Sequence, residues 1–172
     1  MEKTHKQFSH EFRTPDGMRD AIAGVINTVA ATARQCGKSI SDKTRHAINL
    51  LFTEAWSNHI RHGHKSNYNL AVTVRGEVLQ KGDDLKLRVQ SEDQGSGFTV
   101  SSIPLPKRED ETGKGVKTIR DFAGRLGGAI RYNPKGNAMT IDVNIQEPDY
   151  HTMFAPAVQE VESDEKNPTA DR

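Results

Sequence analysis

Two spacings of apolar residues divide the chain, and they constrain its fold more than any other feature. In segments 15–36 and 41–60, apolar residues recur every three or four positions, as in helices with one buried face. In segments 68–80 and 85–92, they alternate with polar residues, as in strands with one buried face. Helices are therefore expected early and antiparallel strands late, packed as a two-layer α+β sandwich.

The ends of the predicted helices carry ordinary start and stop residues. Pro15 suits a first helical position, and Gly37 suits the residue after the end of this helix. Ser41 can cap the second helix, which continues to Ile60 and ends before Gly63. These signals predict two long helices separated by a short connection.

Shorter elements complete the prediction. The first hairpin turns through Lys81 to Asp84, between its two alternating segments. The other elements are an edge strand over 6–13, a helix over 116–126 that ends at Gly127-Gly128, and a last hairpin with strands 129–133 and 139–146. The glycine-rich and charged segment 93–112 reads as a long surface loop, and such loops are often functional lids.

Length and charge exclude several classes of protein. The 172 residues suit one domain, here 1–147, followed by an acidic and disordered tail, 148–172. With 24 Lys and Arg against 23 Asp and Glu, we expect no general attraction to nucleic acid or to an anionic membrane. Cys36 is the only cysteine, and the polar N-terminus has no apolar export segment, so the cytoplasm is the expected location.

A carboxylate and an amide share one face of the second predicted helix. Glu54 and Asn58 are four positions apart, and His62 follows one turn later. An amide oxygen can bind Mg²⁺, and a carboxylate can accept a hydroxyl proton. The same spacing is common on the polar outer face of an amphipathic helix, so it does not decide the function alone.

Glycines follow a predicted strand and precede a predicted helix. In the segment from Asp93 through Gly95 and Gly97 to Phe98, the carboxylate could accept a hydrogen bond from an adenine amino group. A solvated turn is the alternative for this segment. Gly113, Lys114 and Gly115 open the helix that continues from Val116, where free N–H groups favour an anion such as a triphosphate. The lysines and arginines nearby can instead form an ordinary basic surface.

Two further groups, on the second predicted helix or just after it, have simpler interpretations. His59, His62 and His64 lie within six residues, but no Cys or Asp completes a tetrahedral metal site among them. Phe52 and Trp56 are one turn apart and are expected to be core or partner-facing hydrophobic residues.

The three polar motifs occur in one order along the chain. Residues 54–63, 93–98 and 113–116 resemble the N box and the two glycine boxes of the GHKL ATPases, which include histidine kinases and topoisomerase ATPase subunits. The patterns Glu-Ala-x-x-Asn-x-Ile-x-His-Gly and Gly-x-Gly-Val-x-x-Ile-Arg look most like the anti-sigma factor serine kinases, over about residues 6 to 146.

The resemblance implies a fold and a set of roles. The fold would be a two-layer sandwich with helices on one face of a mixed, mostly antiparallel sheet. Asn58 would coordinate Mg²⁺, Glu54 would be the catalytic base, and Asp93 would bind the adenine amino group of ATP. Gly95 and Gly97 would shape the adenine pocket. The remaining residues of the implied nucleotide site are Gly113, Lys114 and Gly115 in a lid over the phosphates, and His62, Phe98 and Val116.

The resemblance also implies partners. Kinases of this family bind a sigma factor or a similar regulator, and they phosphorylate a serine of a STAS-domain antagonist, so that phosphorylation decides the partner. A homodimer is compatible with the family. This chain departs from the family pattern at Asn137, where the last hairpin often carries Thr, in the loop from Thr99 to Thr112, and in the acidic tail.

Two other functions are compatible with the same sequence. A binding module could use ATP to control association without transferring phosphate, and it would need the same pocket. A detached catalytic domain of a histidine kinase would require a helical hairpin with a phospho-acceptor histidine, and the first predicted helix contains no histidine.

Overall fold

The computed structural model describes residues 2–97 and 114–148, with side chains from residue 118 onward in the second range. The described elements in chain order are β1 (Glu2–Phe12), α1 (Pro15–Gln35), α2 (Asp42–Asn58), a π-helical turn (His59–Gly63), β2 (Val72–Lys81), β3 (Asp84–Asp93), α3 (Lys114–Arg125), β4 (Ala129–Tyr132) and β5 (Ala138–Asn144). The predicted succession of early helices and late strands is confirmed.

Five strands form one sheet in the order β1-β2-β3-β5-β4. Every pairing between neighbouring described strands is antiparallel, so this part of the sheet has no parallel pair. The strand β1 lies at one edge, as predicted, and begins at Glu2 rather than at residue 6. Because β3 is the central strand, its last residue, Asp93, has a strand on either side.

The helices and the sheet share one apolar core. The helix α2 packs against both α1 and α3, and α1 packs against β1. Trp56 lies between Phe52 and Phe12, with ring centroids 4.8 Å and 5.3 Å apart, respectively. Both aromatic residues of α2 are fully buried, so the prediction that they are core residues is confirmed. Other core members are Ile22, Val25, Ile48, Leu51, Val74, Leu87, Val89, Ile119, Leu126 and Ile141.

Side-chain caps explain where the two long helices begin. The Thr14 hydroxyl accepts a hydrogen bond from the Gly17 N–H at the start of α1, over 3.2 Å. The Ser41 hydroxyl accepts one from the Thr44 N–H at the start of α2, over 3.1 Å, as its position predicts. Each cap satisfies an N–H group that has no partner within its helix.

The predicted continuation of the second helix is partly wrong. The α-helix ends at Asn58, and residues His59–Gly63 form a π-helical turn in which the His64 N–H reaches the His59 carbonyl at 2.8 Å. A π turn accommodates one more residue per hydrogen bond than an α-helix, and short segments of this kind are frequent at functional sites. Apolar periodicity alone does not distinguish the two helix types here.

The first hairpin also begins later than predicted. The strand β2 starts at Val72 rather than Tyr68, because Lys65 and Ser66 adopt left-handed backbone angles and a turn follows. In that turn, the Asn67 side-chain oxygen accepts a hydrogen bond from the Asn69 N–H at 3.1 Å. Local side-chain bonds of this kind compete with strand pairing. Within the described residues, no helix is both long enough and apolar enough to span a bilayer.

Candidate functional site

The end of β3 and the π turn meet at a buried carboxylate. Asp93 is the last residue of β3, and His59 is the first residue of the π turn. The His59 Nδ1 atom lies 2.5 Å from Asp93 Oδ2, and the two side chains are 2% and 0% exposed, respectively. A buried carboxylate needs such donors, because water does not reach it.

Ser91 extends this contact to a chain of three polar side chains. Its hydroxyl lies 2.9 Å from His59 Nε2, and Ser91 and Asp93 share the buried face of β3 because strand residues two apart point to the same side. A neutral histidine has one donor and one acceptor nitrogen. When Nδ1–H donates to Asp93, the Ser91 hydroxyl therefore donates to Nε2.

Two glycines allow the π turn and the loop after β3 to approach closely. The Gly95 N–H donates to Asp93 Oδ1 at 2.8 Å. A Cβ atom on Gly95 would lie 1.8 Å from the Gly63 carbonyl oxygen, and one on Gly63 would lie 2.4 Å from Asp93 Oδ2. Any side chain at either position would therefore displace the carboxylate or the backbone around it.

The last hairpin holds the backbone of Asp93 from the other side. The Asp93 N–H donates to the Asn137 carbonyl at 2.9 Å, and the Asn137 side-chain amide donates to the Asp93 carbonyl at 3.2 Å. Asn133 orients Asn137 by accepting a hydrogen bond from its backbone N–H at 3.1 Å. Gly97 completes this side, with a φ of 78° and a Cβ position only 2.0 Å from the Lys135 carbonyl oxygen.

The polar residues of α2 end at the same place. Asn58 is the last residue of α2 and only 7% exposed, and its Nδ2 atom has no hydrogen-bond partner among the described residues. Glu54 lies one turn earlier and is half-buried. His62 is exposed and belongs to the π turn, so it does not extend an α-helical row from Glu54 and Asn58.

His64 is a second buried histidine near Asp93. It is 2% exposed, and burial lowers the pKa of its imidazole from the ordinary value of 6.5. The Asp93 carboxylate and the Ala71 backbone oppose this shift, whereas His59 and Arg13 reinforce it. The neutral form of His64 is therefore favoured in the folded protein.

The third motif is described only in part. Lys114, Gly115 and Val116 form the first turn of α3, so the helix begins two residues earlier than predicted. Gly113 and Phe98 lie outside the described residues, as do the predicted loop from 99 to 112 and the predicted tail beyond Pro148. The opposite end of α3 stops at Gly127 and Gly128, whose N–H groups reach the carbonyls of the last helical turn, as predicted.

The comparisons with known proteins place this arrangement in a family. The family model described as a histidine kinase-like ATPase domain matches residues 18–143. The chain belongs to the histidine kinase-like ATPase family. This confirms the resemblance to the GHKL superfamily and, with the antiparallel sheet and its helices, the predicted fold class, and membership supports ATP binding by this domain.

Solved structures of histidine kinases are similar to this histidine kinase-like ATPase domain. The histidine kinase domain from the Erythrobacter litoralis EL346 blue-light activated histidine kinase is 19% identical, with a TM-score of 0.48 over 80% of this chain and 69% of that one. A structure of the EL346 blue-light activated histidine kinase is 21% identical, with a TM-score of 0.47 over 77% of this chain and 42% of that one. A search of curated proteins found no match.

In this histidine kinase-like ATPase domain, the polar centre consists of Asn58, His59, Ser91, Asp93 and Asn137, and only part of it is predictable from the sequence. From the sequence, His59 and His64 are interpreted only as possible metal ligands, and Ser91 carries no prediction. Among the described residues, no three His, Cys, Asp or Glu side chains cluster as a metal site made of protein ligands alone would require, and the His59 nitrogens contact Asp93 and Ser91. The alternation of β3 places Ser91 on the face of Asp93, and this was the one available signal.

Proposed function

We propose that the protein binds Mg-ATP and transfers its γ-phosphoryl group to a serine of a partner protein, as an anti-sigma-type regulatory kinase. The observation that carries the proposal is the polar centre at the ends of α2 and β3. There Asn58 is buried with an unpaired amide nitrogen, next in sequence to the His59 that binds Asp93. Buried polar groups without partners are rare in folded proteins, and a phosphate oxygen of a bound nucleotide would supply the acceptor that this amide N–H group lacks.

The residues around Asp93 fit an adenine base. Its carboxylate accepts hydrogen bonds from His59 and Gly95, and its oxygens retain further lone pairs for the amino group of adenine. Larger residues are excluded at Gly95 and Gly97, because a Cβ atom would lie 1.8 Å from the Gly63 carbonyl oxygen and 2.0 Å from the Lys135 carbonyl oxygen, respectively. In this proposal, Asp93, Gly95 and Gly97 form the base pocket.

Asn58 is suited to bind a magnesium ion, and Glu54 is suited to act as the catalytic base that accepts a proton. The amide oxygen of Asn58 would be a hard ligand, with waters and phosphate oxygens as the others. When bound, Mg²⁺ would neutralise charge on the phosphates during transfer. Glu54, one turn away on α2, would accept the proton of the serine hydroxyl as its oxygen bonds to the γ-phosphorus and ADP leaves.

The start of α3 would bind the phosphates. A helix N-terminus presents unpaired N–H groups and a partial positive charge, which favour an anion. In this proposal, Gly113, Lys114 and Gly115 close over the triphosphate. Three further residues would contact the nucleotide: His62, Phe98 and Val116.

The partner is proposed from the sequence pattern. The motif from Glu54 to Gly63 is similar to that of the anti-sigma factor serine kinases, whose targets are STAS-domain antagonists and sigma factors. We propose that a STAS-domain protein is the phosphorylated partner and that a sigma factor or similar regulator is sequestered in its absence. A homodimer in the cytoplasm fits this role.

The test is a retention experiment with phosphosite mapping. The wild-type protein, Glu54→Ala and Asn58→Ala are immobilised with and without Mg-ATP in lysate of the source organism. We expect the wild type alone to leave phosphoserine on a retained STAS-domain protein. Glu54→Ala is expected to bind ADP within about threefold of the wild type, since it removes the base and not a nucleotide contact.

Three other results would each contradict the kinase proposal. An ATP-dependent partner without phosphate would favour the nucleotide-controlled binding module. Acid-labile phosphate on a partner histidine would favour a histidine kinase catalytic domain. Failure of the wild type to bind ATP or ADP in calorimetry would exclude both kinds of nucleotide-dependent function.

A further inference from the structure

Two N–H donors within the protein itself hold the Asp93 carboxylate. His59 Nδ1 lies 2.5 Å from Oδ2, and the Gly95 N–H lies 2.8 Å from Oδ1. Each carboxylate oxygen has one donor, so rotation of the carboxylate about the Cβ–Cγ bond of Asp93 would break both hydrogen bonds. The direction of its remaining lone pairs is therefore set by His59 and Gly95 together.

The donor state of His59 is itself set by a third residue. The Ser91 hydroxyl lies 2.9 Å from His59 Nε2, and both side chains are buried. A hydroxyl that donates to Nε2 requires the proton of a neutral imidazole to be on Nδ1, which faces Asp93. Ser91 thus favours the tautomer in which His59 donates to the carboxylate.

Packing of the core alone does not explain why a histidine occupies position 59. His59 begins the π turn, directly after Asn58, and both of its nitrogens contact a polar partner. An apolar residue of similar volume would fill the space, yet it would leave Asp93 Oδ2 buried without that donor. The Asp93 carboxylate would then lose its fixed orientation at the position where adenine is proposed to bind.

We propose that His59 is a positioning residue that, with Ser91, aims the Asp93 carboxylate at the amino group of adenine. His59 thereby sets selectivity for adenine nucleotides over purine nucleotides that lack this amino group. The proposal rests on the nucleotide site described above. It adds that base recognition depends on a side chain that does not touch the base.

The experiment compares two ligands, ADP and purine riboside diphosphate, which differ only in the amino group. Binding of each is measured by calorimetry in the presence of Mg²⁺, and the ratio of the two dissociation constants is the readout. A change in folding alone would weaken both ligands together, so the ratio separates positioning from general support of the fold.

Substitutions of His59 separate its two nitrogens. In His59→Asn, the amide nitrogen falls near the place of Nδ1 and can still donate to Asp93. In His59→Gln, the amide lies further out, near the place of Nε2, and can reach Ser91 instead. Both variants are neutral, polar and able to donate, so a difference between them depends on which partner is reached. His59→Leu removes both contacts.

We expect the wild type to prefer ADP by about tenfold or more, the value of one good hydrogen bond to a charged group. His59→Asn is expected to keep this preference within about threefold, whereas His59→Gln and His59→Leu reduce it to about twofold or less. Ser91→Ala is expected to show a preference for ADP between those of the wild type and His59→Leu. It removes the hydroxyl that favours the Nδ1–H tautomer, but it keeps the His59 donor. The matched control is Ser57→Ala, a buried hydroxyl on α2 whose contact is Met18, and its ratio is expected to equal that of the wild type.

The proposal is overturned if His59→Gln or His59→Leu binds ADP with the wild-type preference while Asp93→Asn loses it. In that case the nucleotide site stands and the positioning role fails. If His59→Leu does not fold by circular dichroism, the comparison of His59→Asn with His59→Gln gives the decision. If the wild type binds neither ligand, the proposed function fails together with this inference.

Discussion

Gly95 is held between the Gly63 carbonyl and the Asp93 carboxylate, and it makes the sharpest prediction for a single residue. A Cβ atom there would lie 1.8 Å from the Gly63 oxygen. Gly95→Ala must therefore push the π turn away from β3. We expect it to cost about 2–4 kcal/mol in the free energy of unfolding and to abolish ADP binding. Denaturant unfolding and calorimetry measure the two effects.

Gly124 provides the matched control for this substitution. It is exposed on α3, and a Cβ atom there would meet no atom within 4 Å. Gly124→Ala is expected to stabilise the protein by about 0.5–1 kcal/mol, because alanine favours the helix over the unfolded chain. Equal losses of stability in the two variants would show that the contact with Gly63 is not what constrains Gly95.

His64 links the stability of the fold to pH. Its pKa is lowered from 6.5 mainly by burial, so the unfolded chain binds a proton on this residue more readily than the folded protein does. Stability from this group is complete above about pH 6.5 and is lost as the pH falls towards the lower folded value. We expect the unfolding free energy of the wild type to drop more steeply than that of His64→Gln between about pH 7.5 and 5.5.

An exposed histidine gives the comparison for this pH effect. His46 lies on the outer surface of α2, and His46→Gln is expected to retain the slope of the wild type. The measurement is denaturant unfolding at several pH values for the three proteins. A slope in His64→Gln as steep as in the wild type would mean that other groups carry the pH dependence of stability.

Among the elements, α2 carries Glu54 and Asn58 of the proposed site, and the capping of its first turn is tested at Ser41. The Ser41 hydroxyl accepts the Thr44 N–H at 3.1 Å, so Ser41→Ala leaves that N–H without its cap. We expect a loss of about 1 kcal/mol in the free energy of unfolding. Ser39→Ala, an exposed serine on the same connection, is expected to change stability by no more than about 0.5 kcal/mol. Matching chemical-denaturation midpoints for the two variants would refute the cap.

The elements differ in how well the sequence predicts them. The helix α2 follows from the cap at Ser41 and from apolar residues at helical spacing, since both signals are local. The π turn after Asn58 does not follow, because its hydrogen bonds depend on packing against β3 rather than on its own residues. The late start of β2 has a local cause, the turn at Asn67, which apolar alternation alone does not reveal.

At the scale of the whole molecule, the sequence predicts the motifs of the site but not the contacts among them. Asp93 and Gly95 are recognisable because glycines follow a strand. The role of His59 depends on the register that brings Ser91 and the π turn together, and no local pattern encodes that register. The histidine therefore reads as part of a cluster in the sequence and as a partner of one carboxylate in the structure.

The residues of the polar centre are far apart in the sequence, so their contacts are expected to form late in folding. His59 and Asp93 are 34 positions apart, and Asn137 and Asp93 are 44 positions apart, so these contacts form only after both hairpins have docked. A partly folded chain would lack the proposed nucleotide site. A ligand at a hundred times its dissociation constant would then stabilise only the finished fold, by about 2.7 kcal/mol. A higher nucleotide concentration in the cell would thus increase the fraction of chains in the fully folded state, in which the last long-range contacts are complete.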